Sequence, residues 1–163
     1  MDNKRQPGLA RRRDMIAKTT FLRIARILEE ETGKGAFPAV LHCFTGGPDL
    51  ASRAIALGLS ISFTGILTFK NSAPLREIAA TLPADRILVE TDAPYLAPGK
   101  YRGKRNEPAF VVETANVLAE TRGVSFEAIA RQTTENFFRL FSKVPRPAGG
   151  AAIADDFMQS AQV

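Results

Sequence analysis

In 163 residues the sequence has one cysteine and one histidine. The lone cysteine, Cys43, excludes an internal disulfide and suits a reducing cytosol. The lone histidine, His42, excludes a site drawing several imidazoles from this chain. No run approaches the roughly 18 apolar residues a membrane span needs. The N-terminus lacks the apolar core of a signal peptide. A cytoplasmic chain with no membrane partner is the expectation. Hydrophobic content of 45% and charged content of 24% are those of a soluble globular protein, and the length suffices for one domain with a real core. The net charge of +5 favours anionic partners. That bias is local, because the cations gather over Lys4–Lys18 and Lys100–Arg105.

The chain is organised around Ile87–Leu96. Ile87, Leu88 and Val89 lead into two carboxylates, Glu90 and Asp92, before Ala93-Pro94. A short apolar run of this kind reads as a parallel strand buried on both faces. Alternation then puts Glu90 and Asp92 on one face, with Asp92 nearer the C-terminal mouth, where α/β sheets build their sites. The plainer reading is that Asp92 caps a turn. A second acid on the same face fits that poorly, since carboxylates are seldom buried unless paired or bound to metal.

Residues 1–18 are basic without clear periodicity and read as a poorly ordered end, Arg11–Arg13 as a solvated charge run. Phe21, Ile24, Ala25 and Leu28 predict a helix over Thr19–Thr32. Phe37–Phe44 reads as a strand with Val40, His42 and Phe44 on one face, followed by glycines at 46 and 47 that permit close approach by a ligand. Leu50, Ala54 and Leu57 face inward on a short helix. Ser60, Ser62 and Thr64 then form one face of a strand, fitting either a crowded barrel interior or a half-exposed strand. Leu75, Ile78, Ala79 and Leu82 stripe a helix begun near Pro74. Alternation of helix and strand at this spacing forces parallel strands. A loop over 97–107 precedes a helix from Pro108 to Gly123, a short helix after Ser125, and another with Phe137, Phe138, Leu140 and Phe141 packed inward. The Pro-, Gly- and Ala-rich stretch 144–163 reads as a disordered tail, leaving 19–143 as the folded part.

Three segments together carry a resemblance: His42-Cys43-Phe44-Thr45-Gly46; Ser62-Phe63-Thr64-Gly65 with Phe69-Lys70; and Glu90-Thr91-Asp92-Ala93-Pro94-Tyr95-Leu96 with Arg105-Asn106-Glu107-Pro108. In order and spacing the sequence resembles the TatD family of metal-dependent deoxyribonucleases, amidohydrolase-like TIM barrels, from about Ile27 to about Lys143. The resemblance implies an α/β fold that is a partial TIM barrel: the last three parallel β-strands with flanking helices. It implies a divalent cation, Mg²⁺, Mn²⁺ or Zn²⁺, at the C-terminal mouth. His42 matches a metal ligand. Asp92 matches the closing aspartate, a ligand and the catalytic group that orients or deprotonates the attacking water. Glu90, one layer deeper, is placed to support the ligands. The implied substrate is DNA, hydrolysed at phosphodiester bonds and trimmed from an end. Arg102, Lys104 and Arg105, with Lys100, are placed to receive its phosphates; an ordinary solvated loop is the competing reading.

An intact barrel needs roughly 250 residues, and the family's opening His-x-His pair, middle-barrel glutamate and further strand-end histidine have no counterpart here. The sequence therefore reads as a chain that has lost its front half. A separate chain supplying the other half barrel is the partner expected of an active form. Two protein ligands are fewer than a stable divalent site usually has, so weak metal binding and little nuclease activity are expected of this chain by itself. The alternative from another class is a non-catalytic remnant that at most binds nucleic acid.

Overall fold

A computed structural model describes residues 7–147, with side chains from Thr19 onward. The elements are helix α1 (Pro7–Lys34), strand β1 (Val40–Leu41), helix α2 (Pro48–Ala56), strand β2 (Ser60–Phe63), helix α3 (Ala73–Thr81), strand β3 (Ile87–Val89), helix α4 (Val111–Arg122) and helix α5 (Phe126–Leu140), with short 3-10 turns between. The three strands form one parallel sheet in the order β1-β2-β3. Its register places Val40 beside Ser60 and Ile61 beside Ile87. Each pair of strands is joined through a helix, as parallel pairing demands.

The centre of the sheet is the core. Leu59, Ile61, Phe63, Leu67, Ala79 and Leu118 are fully buried, and α3 and α4 pack together, the predicted stripe Leu75, Ile78 and Ala79 sharing one core with Ala115, Leu118 and Ala119. Arg122 fixes that pair by donating from Nη1 to the carbonyls of Ala79 at 2.6 Å and Leu82 at 2.9 Å. It thus satisfies carbonyls that the end of α3 leaves without helical partners. Burial pushes the Arg122 guanidinium down from its ordinary value, although it stays charged. Among the described residues no helix is long and apolar enough to cross a membrane.

Several expectations change. The first helix begins at Pro7, so the stretch 7–18 read as poorly ordered is helical; residues 1–6 and most of the predicted tail, from 148 on, lie outside the described residues. The strand expected over Phe37–Phe44 is confined to Val40–Leu41. Cys43 turns the chain with φ +49°, which ends the alternation: His42 is left exposed while Phe44 is buried edge-on against Phe63. The two short helices after Ser125 are one helix, α5, whose N-cap is Ser125 Oγ accepting from the Ala128 N–H. Its buried face is Ile129, Thr133 and Asn136, and Phe137 and Phe141 stay exposed and touch each other. The apolar count misled there because Asn136 is needed inside: its Nδ2 donates to the carbonyls of Ala84 at 2.7 Å and Ile87 at 2.8 Å, the entry to β3. Ser60, Ser62 and Thr64 are all buried, so the crowded-interior reading of that face holds over the half-exposed one.

Candidate metal centre

The strands deliver their polar residues at their C-terminal ends. His42 follows β1, Glu90 and Asp92 follow β3, and one ligand atom from each lies within 4.8 Å of the others. They meet across the top of β2, so β1 and β3 are next-nearest strands sharing one site. His42 Nδ1 is 3.2 Å from Glu90 Oε1 and 3.9 Å from Asp92 Oδ1. The imidazole is 70% exposed, whereas the carboxylates are about three-quarters covered, at 24% and 26%.

Glu90 Oε1 also accepts the Cys43 main-chain N–H at 2.7 Å. One carboxylate oxygen therefore binds the loop that presents His42 and the His42 ring itself. With Nδ1 turned to Glu90, Nε2 is left as a ligand atom, the usual way a carboxylate orients a ligating imidazole. An imidazole nitrogen and two carboxylates suit a divalent first-row cation, so the donor set fits the metal.

Asp92 reaches the site by a route that alternation does not describe. β3 ends at Val89, and Asp92 has φ +56°. Few residues other than glycine enter that left-handed region, Asp more readily than most, and neighbouring groups hold the residue there. The Tyr95 N–H donates to the Asp92 carbonyl at 2.8 Å, and Asn106 Nδ2 holds the carbonyls of Thr91 and Tyr95 on either side, at 2.7 and 2.5 Å. Burial, then the Asp92 carboxylate, pushes the Cys43 thiol up to about 11, with Thr64 opposing. Cys43 thus stays a neutral neighbour of the cluster at ordinary pH.

Glycines work differently from the sequence reading. A Cβ on Gly46 would stand 2.9 Å from Leu50 and 3.0 Å from the Phe44 ring, so this glycine serves packing beneath the loop. Gly65 is the position of close approach: a Cβ there would lie 2.1 Å from the Leu96 carbonyl oxygen, which lets the turn after β2 rest on the segment following Asp92. A groove of about 530 Å³ runs from Thr45 and Gly46 along α3, past Ser72, Leu75 and Ile78. It contains none of the three donor residues.

The four predicted cations divide. Lys100 Nζ is paired with Glu113 at 2.6 Å, a hydrogen bond that raises its ammonium above its ordinary value. The Arg102 guanidinium lies over the Phe69 ring at 4.1 Å. Lys104 and Arg105 are exposed without an ionic or hydrogen-bonded side-chain partner among the described residues. Lys70 is likewise exposed, with no ionic or hydrogen-bonded side-chain partner among the described residues. Sequence reasoning also missed the Cys43 amide and the Asn106 side chain, since main-chain contacts and a buried amide in a loop leave no periodic signal.

A parallel sheet offering an imidazole and two carboxylates at its C-terminal rim invites comparison with metal-dependent hydrolases. A sequence model of the family described as TatD related DNase matches residues 12–142, and the chain belongs to that family. It is 52% identical over 102 residues to YcfH, an uncharacterized metal-dependent hydrolase of Escherichia coli (strain K12), covering 63% of this chain and 38% of that protein. It is 42% identical over 124 residues to the 3'-5' ssDNA/RNA exonuclease TatD of Pantoea vagans (strain C9-1), covering 73% and 47%. The crystal structure of YJJV, a TatD homolog from Escherichia coli K12, superposes with a TM-score of 0.69 at 30% identity, over 77% of this chain and 48% of that one. The chain spans less than half the length of these relatives.

Proposed function

We propose that this chain is the cation-binding C-terminal part of a cytoplasmic hydrolase that cleaves phosphodiester bonds in DNA, trimming a strand from its end. The sheet is read as the last three strands of a TIM barrel. The observation that carries the proposal is the meeting of His42, Glu90 and Asp92 within 4.8 Å at the rim of the sheet. It favours a hydrolase over a non-catalytic remnant, because an imidazole and two carboxylates gathered at one rim are a donor set that a divalent cation takes.

His42 and Asp92 would hold the divalent cation, Mg²⁺, Mn²⁺ or Zn²⁺. When bound, that ion lowers the pKa of a water and offsets charge on the phosphodiester. Glu90 keeps the His42 ring turned and ties it to the Cys43 amide. Asp92 takes the proton from the attacking water. Arg102, Lys104 and Arg105 receive phosphates along the strand. A separate chain bearing the remaining ligands and strands would complete the active form.

The test is an EDTA-controlled exonuclease assay on single-stranded DNA, with and without a co-expressed N-terminal half barrel. Activity that needs both halves, vanishes in EDTA and returns with Mn²⁺ supports the proposal. A completed barrel that binds Mn²⁺ and leaves DNA intact refutes it. For the isolated chain, calorimetric titration is expected to show weak Mn²⁺ binding. Sub-micromolar affinity lost in His42→Ala and Asp92→Ala would overturn the expectation that two ligands are too few.

A further inference from the structure

Asn106 has no part in the reaction just described, yet it is tied on four sides. It is 3% exposed. Its Nδ2 donates to the Thr91 carbonyl at 2.7 Å and the Tyr95 carbonyl at 2.5 Å. Its Oδ1 accepts the Glu107 N–H at 2.9 Å, and its own main-chain N–H donates to the Pro94 carbonyl at 3.0 Å. Between the two carbonyls held by Nδ2 lies Asp92, in the left-handed region. Within the turn itself the Tyr95 N–H donates to the Asp92 carbonyl, and the Ala93 N–H donates to Thr91 Oγ1 at 3.3 Å.

We propose that Asn106 is the positioning residue of the centre: by fixing the carbonyls on both sides of Asp92, it keeps that carboxylate within reach of His42 and Glu90. The inference rests on the cation-centre reading. A primary amide is suited to the task, because it carries two donor hydrogens in one plane and spends one on each carbonyl. An aspartate of the same shape has no donor when ionised, and a serine has a single one. Without the clamp the turn keeps the bonds of the Tyr95 N–H to the Asp92 carbonyl, the Ala93 N–H to Thr91 Oγ1 and the Asn106 N–H to the Pro94 carbonyl, but it loses both bonds to the carbonyls that bracket Asp92. The residue then relaxes toward negative φ and turns its carboxylate away from the imidazole. Glu90 is unaffected in this account, since it is held by the Cys43 amide and by the last link to β2, Glu90 N–H to the Phe63 carbonyl at 2.9 Å.

Asn136 supplies the control. It too is buried, 2% exposed, and its Nδ2 also holds two carbonyls, Ala84 and Ile87, but at the far end of β3. The full chain, labelled with ¹⁵N, is compared as wild type, Asn106→Ala, Asn106→Ser and Asn136→Ala. Two quantities are read: the exchange rate of the Tyr95 amide, which reports its bond to Asp92, and Mn²⁺ affinity from paramagnetic broadening, which tolerates weak binding. Both Asn106 variants should speed Tyr95 exchange at least about tenfold and weaken Mn²⁺ binding roughly 10- to 100-fold, the usual cost of losing a group that orients a ligand. Asn136→Ala should lower the melting temperature and leave both readings near wild type.

The inference is overturned if a folded Asn106 variant exchanges Tyr95 at the wild-type rate, or if Asn136→Ala weakens Mn²⁺ binding as much as Asn106→Ala. Should Asn106→Ala fail to fold, Asn106→Ser, which keeps one donor, decides on the same criteria. A wild-type chain that binds no Mn²⁺ counts against the cation reading alone, and the exchange rates then decide the clamp.

Discussion

The two ends of β3 use the same device for different ends. At the entry, Asn136 reaches from α5 and bonds the carbonyls of Ala84 and Ile87. At the exit, Asn106 reaches from the long loop and bonds the carbonyls of Thr91 and Tyr95. Both amides are buried and both satisfy two main-chain acceptors, so each stabilises the fold. The contrast is in what they hold. The entry amide holds ordinary turn and strand backbone with no strain to oppose. The exit amide brackets Asp92, whose φ of +56° points a carboxylate at the only histidine of the chain.

That division is testable by substitutions that separate binding from stability. The largest effect is expected at the mouth. His42→Ala and Asp92→Ala should each weaken Mn²⁺ binding beyond about 100-fold, more than the loss of an orienting group costs. His42→Ala should leave the melting temperature nearly unchanged, because the side chain is 70% exposed. A large drop in stability there would merge the two ends into one structural role. Next comes the base: Asn136→Ala leaves the buried Ile87 carbonyl without this donor, at about 1–3 kcal/mol, and the partly buried Ala84 carbonyl with water in its place. Denaturant titration should show a loss of about 1–3 kcal/mol with metal binding intact.

Gly65 sharpens the boundary between the two. Its would-be Cβ meets the Leu96 carbonyl oxygen, so Gly65→Ala must displace the segment that follows Asp92. A forced shift of this kind in a packed region costs about 1–3 kcal/mol. Here stability and Mn²⁺ affinity should fall together. An affinity unchanged at reduced stability would show that the segment after Asp92 moves without carrying the carboxylate along.

The order of helices and strands was legible because burial writes itself into periodicity. The stripe Leu75, Ile78, Ala79 and the run Ile87–Val89 lie where the pattern put them. The pairing of His42 with the two acids was legible only through the resemblance to a family, since nothing in spacing brings residue 42 to residue 92. Three features were not legible. Cys43 and Asp92 adopt positive φ without being glycine, which no composition rule anticipates. Asn136 is buried on a helix whose phenylalanines look like the better core, because main-chain carbonyls at the entry to β3 need a donor more than the core needs another ring. Asn106 sits in a loop rich in proline, glycine and cations, where a polar side chain reads as solvated until its partners are known.

The smallest expected effect concerns the loop that Asn106 anchors. Lys100 and Arg105 are equal charges in the sequence and unequal ones in the structure. Lys100 is committed to Glu113, whereas Lys104 and Arg105 have no such partner among the described residues. A cation that neutralises a phosphate of a single strand contributes about 0.7 to the slope of log affinity against log salt. Lys104→Ala and Arg105→Ala should each lower that slope by about this amount for a short single-stranded oligonucleotide with Ca²⁺ in place of an activating ion. Lys100→Ala should lower it by less, because releasing Glu113 uncovers a carboxylate while removing a cation that was already balanced. Equal slopes for all three variants would mean that the loop acts as an undifferentiated charge, and that the ion pair with Glu113 does not survive the approach of the strand.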